Sequence, residues 1–302
     1  MKIAILGIGG VGATVASALS AVEKDLILIA RGKNKEAILD NGLAVKSKVL
    51  GDRRVVPAMV SDDPQEIGIV DILIIACKGY SLKEACEKYR DIVGDETVVI
   101  PLLNGVSAPE KTKEYLGERG IVAPGYIYCF SQILEPGVIE NFGDMLRMGF
   151  AFDGKDENEN ALLLESLLKE GGMGVPEGSD ALKEIWKKFM MMGGNSAAFI
   201  YYDCPAGPIQ EDPEKTKVIE TIYHELRTIG QACGVELESE IVDGYMEEFA
   251  ALPPQTTSSL YRDIAAEKEF NELESVLGDG CRLAEKLGVD VPYVKAAYEK
   301  AK

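Results

Sequence analysis

Short, nearly uninterrupted apolar runs alternate with polar-punctuated stretches through the first half of the chain. Residues 2–6 (KIAIL), 26–30 (LILIA), 71–76 (DILIIA) and 97–102 (TVVIPL) are rich in β-branched side chains. Runs of this kind suit strands covered on both faces of a parallel sheet. Helix-compatible segments lie between them, near 10–22, 33–41, 80–92 and 107–117, and the alternation predicts a doubly wound α/β fold. Two more strands are expected at 121–129 and 145–152, with Pro136-Gly137 marking a turn between them. Beyond about residue 175 the strand signals stop. Helical periodicity covers 180–203, 214–234, 237–251 and 270–287, and in the last of these Leu273, Val276, Leu277, Ala284 and Leu287 fall near one face. The predicted organisation is an α/β N-terminal domain, 1–176, followed by an all-α C-terminal domain, 177–302, the texture changing near 174–179.

Composition narrows the chemistry. The 302 residues carry 32 Lys+Arg against 50 Asp+Glu, a net charge of −18. So acidic a surface argues against nucleic acid or an anionic membrane as partner, since both need a basic patch. A small anionic substrate needs only a few local cations or backbone N–H groups. The single histidine, His224, disfavours His-based zinc sites and Ser-His-Asp triads, and no metal is expected. Six cysteines without a CxxC pair read as reduced thiols, and Met1 leads directly into an apolar run without the layout of a signal peptide. No run of about 18 apolar residues occurs. These features predict a cytoplasmic chain.

Gly7-Ile8-Gly9-Gly10-Val11-Gly12 follows the first apolar run and opens an Ala/Val/Leu-rich helix. GxGxxG is weak alone, but this context is that of a dinucleotide site. The first glycine permits the tight turn, the second lets backbone approach a pyrophosphate, and the third allows close helix–strand packing. The helix N-terminus adds N–H groups and a positive dipole. About 20 residues on, where an acid would bind the ribose 2′-hydroxyl of NAD, stand Ala30-Arg31-Gly32-Lys33. Arg31 suits a 2′-phosphate, so the expected cofactor is NADPH.

Ligands of such sheets bind beyond the carboxyl ends of the strands. Lys78 ends the third apolar run, and Asn104-Gly105 ends the next in a turn-favouring pair. In the helical half, Lys188 lies within Trp186-Lys187-Lys188-Phe189-Met190-Met191-Met192. Partial burial lowers a lysine pKa and makes the ammonium a better proton donor, so Lys188 is a candidate general acid for reduction of a ketone. A lysine snorkelling over core residues is the equal alternative.

Together these residues resemble the ketopantoate reductase (2-dehydropantoate 2-reductase) family of the 6-phosphogluconate dehydrogenase-like superfamily, over nearly the whole chain. The resemblance rests on GxGxxG, Arg31, Lys78, Leu103-Asn104-Gly105, Trp186-x-Lys188, Ser258-Ser259-Leu260-Tyr261-Arg262-Asp263 and Asn271-Glu272-Leu273-Glu274. It implies a Rossmann-type domain followed by a helical domain, with NADPH and a small anionic 2-oxo acid in the cleft between them. It implies Lys188 as proton donor and Asn104 as the group positioning that lysine and the nicotinamide. Ser259 would hold the substrate carboxylate region, and Glu272 its hydroxyl groups or the lysine. Lys78 would approach the cofactor or the substrate at the cleft edge. Without the family pattern, Ser259 would be read as a helix cap and Glu272 as a solvated carboxylate.

Two departures stand out. Met192 and Ser196 occupy positions where the family often has Asn. On an ideal helix Asn195 lies about 20° from the azimuth of Lys188 and Ser196 about 80° away, so Asn195 or Ser196 is expected to supply part of the lost polarity. The stretch from Asp263 to Glu272 is one residue longer than the common pattern. An insertion in a helix turns the residues beyond it by about 100°, which leaves Glu269 and Glu274 as alternative carboxylates. The implied activity is reduction of 2-dehydropantoate to pantoate, the step that feeds pantothenate and coenzyme A synthesis. The alternatives are a reductase of another small 2-oxo or 3-oxo acid, or a non-catalytic NADPH-binding sensor. A homodimer is compatible with the helical half, which carries no heptad seam.

Overall fold

The computed structural model describes residues 1–23, 25–176 and 180–302. Contacts divide the chain into two units, 1–103 with 108–181, and 104–107 with 182–302. The domain boundary expected between 176 and 177 lies at the edge of 177–179, outside the described residues.

The first unit is built on a six-stranded parallel sheet. Across it the strands run Met59–Ser61, Leu26–Ile29, Ile3–Leu6, Val70–Ile75, Val93–Pro101 and Ile121–Val122. The chain therefore starts in the middle of the sheet, builds outward one way, then returns to build the other. That reversal, beside Ile3–Leu6, is where open α/β sheets bind ligands. Both faces are covered because side chains alternate along each strand. Ile3, Ile5, Leu26, Leu28, Ile72, Ile74, Val98 and Ile100 join one core, and Ala4, Leu6, Ile27, Ile29, Leu73, Ile75 and Val99 the other. This is why the runs read as continuously apolar.

A second, four-stranded sheet orders Ser131–Glu135, Val138–Asn141, Leu43–Ser47 and Arg53–Val55, and lends Leu43, Val45, Val55 and Ile139 to the first core. The expected strand over 121–129 is broken by Ala123-Pro124. Its first piece joins the parallel sheet, and Gly125–Tyr128 pairs antiparallel with Arg147–Phe150. Pro136-Gly137 does turn the chain between the two predicted strands, as the tip of an unpredicted hairpin, 131–141. The helix Glu159–Glu170, capped by Asn158 Oδ1 at 3.0 Å from Ala161 N, buries Leu164 and Leu168 in the same core.

The second unit is helical. Ala181–Tyr202, Pro213–Ala232, Glu240–Ala250, Ser259–Ala265, Asp279–Leu287 and Pro292–Ala301 are its α-helices of seven residues or more. A π-turn, Glu274–Gly278, runs into Asp279–Leu287. The helix predicted over 270–287 thus starts only near Leu273. Leu273, Val276, Leu277 and Ala284 are buried as expected, whereas Leu287 is 40% exposed, at the last position before the left-handed Gly288. Among the described residues no helix is long and apolar enough to cross a membrane.

Glu225 ties this unit together. Its buried carboxylate accepts from Tyr293 N at 3.1 Å and Val294 N at 2.9 Å, capping a C-terminal helix that has no cap of its own. Glu225→Ala leaves those N–H groups without their acceptor, at about 2–4 kcal/mol in total. A melting temperature lower by roughly 5–12 °C is the expected result in a thermal scan. Burial, opposed by the two N–H bonds, raises the Glu225 pKa above the ordinary glutamate value. The folded state therefore holds this proton to higher pH than the unfolded chain. The group's contribution to stability is fullest below the ordinary value and is lost as pH climbs through the raised one.

Candidate active site

The carboxyl ends of four neighbouring strands are level. Leu6 pairs with Ile29 on one side and with Ile75 on the other, and Ile75 pairs with Pro101 on the next strand. Gly7–Gly12, Arg31 and Lys78 therefore leave the sheet at one end. Gly7, at φ +97°, takes a left-handed turn in which a Cβ would lie 2.8 Å from Cys77 N. A Cβ on Gly12 would overlap the carbonyl oxygen of Gly7, and one on Gly10 the hydroxyl of Ser131. Gly9 differs: nothing lies within 4 Å of where its Cβ would stand.

Ala13 N makes the first bond of helix Gly10–Leu19, to Gly9 O at 2.9 Å, and no side chain caps the N-terminus. Open space over Gly9 beside uncapped first-turn N–H groups is a cradle that fits a dinucleotide pyrophosphate. Ile8 is buried and Val11 half-buried, both facing protein. One residue that the motif did not flag holds this loop. Asn34 Nδ2 donates to Ile8 O at 2.9 Å while its Oδ1 accepts from Gly137 N at 2.8 Å. No local signal marks Asn34, because its second partner is 103 residues away.

Arg31 is exposed at the strand end and reaches Glu84 at 3.9 Å, an exposed pairing of little energetic weight. Lys35, one helical turn on, is committed to Asp62 at 2.5 Å, which raises the lysine pKa and lowers that of the aspartate. Lys78 is exposed, immediately after the Cys77 that packs on Gly7.

In the helical unit two segments pack against the π-turn Glu274–Gly278. Gly105, at φ +97°, lies so close that a Cβ there would overlap Ser275 O. Asn104, half-buried, belongs to this packed turn. From helix Ala181–Tyr202, a Cβ on Gly193 would be 3.4 Å from Val276 O. π-turns recur at functional sites because they turn carbonyls and side chains off the regular helical track.

The long helix buries Ile185, Trp186, Phe189 and Met190 and leaves Glu184, Lys188, Met191, Met192 and Asn195 along a half-buried stripe. Lys187 is committed to Glu184 at 2.9 Å. Asn195 Oδ1 accepts from Tyr223 Oη at 2.6 Å, while Ser196 is buried, at 3% exposure. Of the two side chains expected to replace the missing asparagine, Asn195 is the one on the stripe with Lys188.

The remaining candidates sort cleanly. Ser258, not Ser259, caps the helix Ser259–Ala265, its Oγ accepting from Tyr261 N at 3.1 Å; Ser259 takes the first helical position, exposed. Residues 266–272 lie outside any helix, with Glu267 at φ +50°, so the extra residue before Glu272 rotates no helix. Glu269 is exposed. Glu274 is engaged by Arg282 at 2.6 Å and Tyr298 at 2.8 Å; burial opposes its ionisation, and these two partners outweigh it and hold its pKa below the ordinary value. Glu272 is half-buried at the foot of the π-turn.

Comparison with known proteins shows the family to which the chain belongs. The pattern of ketopantoate reductase PanE/ApbA matches residues 3–150, and that of the ketopantoate reductase PanE/ApbA C terminal matches residues 180–302. The 2-dehydropantoate 2-reductase of Streptococcus pyogenes serotype M3 is 25% identical over 300 residues, covering 99% of this chain and 96% of its own. The structure of 2-dehydropantoate 2-reductase from Porphyromonas gingivalis W83 matches with a TM-score of 0.81 and 27% identity, over 99% of this chain and 98% of that one. A ternary complex of D-mandelate dehydrogenase with NADH and anilino(oxo)acetate shares the fold, with a TM-score of 0.83 and 20% identity, over 100% and 97%. The chain belongs to the ketopantoate reductase PanE/ApbA family, an oxidoreductase family in which NADP dependence is characteristic.

Proposed function

We propose that this protein reduces 2-dehydropantoate to pantoate with NADPH, and that Lys188 gives the ketone oxygen its proton. The observation that carries the reading is the half-buried stripe of helix Ala181–Tyr202, which sets Lys188, Met192 and Asn195 in sequence along one side. The substrate has a matching order of groups: a 2-oxo acid end, a carbon bearing two methyls, and a terminal hydroxyl. Lys188 serves the ketone, Met192 covers the methyls, and Asn195 meets the hydroxyl. Ser259 and Glu272 bind the remaining polar groups, with Asn104 held against the π-turn to support the lysine. The dinucleotide supplies the hydride when bound. Gly7–Gly12 hold its pyrophosphate, and Arg31 its 2′-phosphate, with Lys78 at the same end of the sheet.

The test is loss of NADPH absorbance with 2-dehydropantoate, run beside 2-oxoisovalerate and with NADH in place of NADPH. Oxidation of NADPH with the hydroxylated acid alone supports the reading. Oxidation with a different 2-oxo acid would instead favour a sister activity, for which Met192 in place of a polar residue is the specific motive.

Arg31 is tested separately. Its only ion pair among the described residues, with Glu84, is long and exposed, so a 2′-phosphate displaces it at little cost. Arg31→Ala is expected to raise the Kd for NADPH by about 10–50-fold, the worth of one charge-assisted contact. The Kd for NADH should move by less than about threefold. Equal weakening for both dinucleotides in a fluorescence titration would remove Arg31 from the 2′-phosphate site.

A further inference from the structure

We infer that Tyr223 is a positioning residue that fixes the orientation of the Asn195 amide, so that its NH2 group is the one offered to the hydroxyl end of the substrate. This rests on the function proposed above. Asn195 would serve poorly as a reader of polarity if its amide turned over, since O and NH2 would exchange places. The structure removes that freedom. Tyr223, 1% exposed on helix Pro213–Ala232, donates from Oη to Asn195 Oδ1 at 2.6 Å.

Its ring is trapped. A Cβ on Gly194 would overlap its Cδ1 and Cε1, so the helix backbone packs directly against the ring, and the ring of Tyr245 sits 5.4 Å away centroid to centroid. Burial raises the ionisation of this phenol far above the working range of an enzyme, so Tyr223 remains a donor. A donor at Oδ1 leaves Nδ2 on the other arm of the amide. Tyr245 in turn donates to Lys187 O at 2.8 Å. Two touching tyrosines thus hold the helix at Lys187 and at Asn195, on either side of Met191 and Met192. Asn195 lies seven positions beyond Lys188, about two helical turns along the same face.

The experiment compares kcat/KM for 2-dehydropantoate with that for 3,3-dimethyl-2-oxobutanoate, the same skeleton with hydrogen in place of the hydroxyl. Wild type, Tyr223→Phe, Asn195→Ala and the double variant are measured. Tyr223→Phe keeps the ring and removes only the hydrogen bond. It should lower the preference for the hydroxylated acid about tenfold, chiefly through KM, with a much smaller change on the deoxy acid. In the Asn195→Ala background the same change should alter that preference less than twofold. Equal losses on both acids, or an effect that persists without Asn195, would overturn the inference. Should Tyr223→Phe not fold, Asn195→Ala alone must still lower the preference about tenfold, and an unchanged preference overturns it. A wild type that reduces both acids equally well sinks this inference but leaves the reductase reading standing. A wild type that reduces neither sinks both.

Discussion

Lys188→Ala is expected to lower kcat for 2-dehydropantoate by about 10²–10⁴-fold, the usual worth of a positioned general acid. The Kd for NADPH should change by less than about threefold, because the glycine loop and Arg31 belong to the other unit. Three features single out this lysine. It lies on the half-buried stripe of helix Ala181–Tyr202, between turns anchored by Trp186 and Phe189, which pack edge to face at 5.5 Å. Its neighbour Lys187 lies about 100° away around the helix, off that stripe. The backbone between them is held by Tyr245 at Lys187 O. Lys187→Ala should accordingly stay within about threefold of wild type. Lys188→Arg separates charge from proton, since a guanidinium keeps the cation but does not release a proton near neutrality. It should be nearly as inactive as the alanine variant. Full activity in Lys188→Arg would make the residue an electrostatic anchor for the carboxylate instead. Tight NADPH binding by a wild type inert toward every 2-oxo acid would point to a sensor.

Legibility along the chain tracked burial. Strands Ile3–Leu6, Leu26–Ile29, Val70–Ile75 and the buried half of Val93–Pro101 from Thr97 on are legible because both faces are covered and almost every position there must be apolar. Met59–Ser61, three residues long, is too short for any period to register, whereas Ile121–Val122 falls inside the strand expected over 121–129. The hairpin strand Ser131–Glu135 is mostly exposed, so nothing forces its pattern. The helix Glu159–Glu170 does carry a signal, with Ala161, Leu164 and Leu168 on one face behind an Asn cap, in a stretch for which no element was expected. In the site, the glycines stand out as a residue type with few alternative uses in that context, whereas Lys188 reads equally as a lysine snorkelling over core residues. The division of labour between Ser258 and Ser259 does not stand out, because either hydroxyl could cap and only the backbone at Ser258 has the extended geometry of a cap. Asn34, Tyr223 and the π-turn were invisible for a common reason: each is defined by a partner distant in sequence.

Gly9→Ala and Gly12→Ala, though both remove a motif glycine, should fail in different ways. Gly12 is inside a helix, where alanine is ordinarily favoured by up to about 1 kcal/mol. Here its Cβ would overlap Gly7 O and lie 3.2 Å from Ile5 Cγ2, both part of the sheet's core. Overpacking of that kind costs about 1–3 kcal/mol and outweighs the propensity gain. Gly12→Ala is expected to lower the melting temperature by roughly 3–10 °C, even with no dinucleotide present. Gly9 has a φ of −93° that alanine adopts freely, and open space where the Cβ would stand. Gly9→Ala should therefore melt within about 2 °C of wild type as the free protein. Its new methyl group would occupy the space kept for the pyrophosphate, and the Kd for NADPH should rise at least tenfold, equally for NADH, because the pyrophosphate is common to both. The stabilisation that saturating NADPH gives the wild type should shrink accordingly. If Gly9→Ala binds both dinucleotides as tightly as wild type, the opening over Gly9 is a surface gap and the cradle must lie elsewhere. If instead it is Gly9→Ala that melts early, the loop is sensitive to any added atom and the contrast with Gly12 collapses.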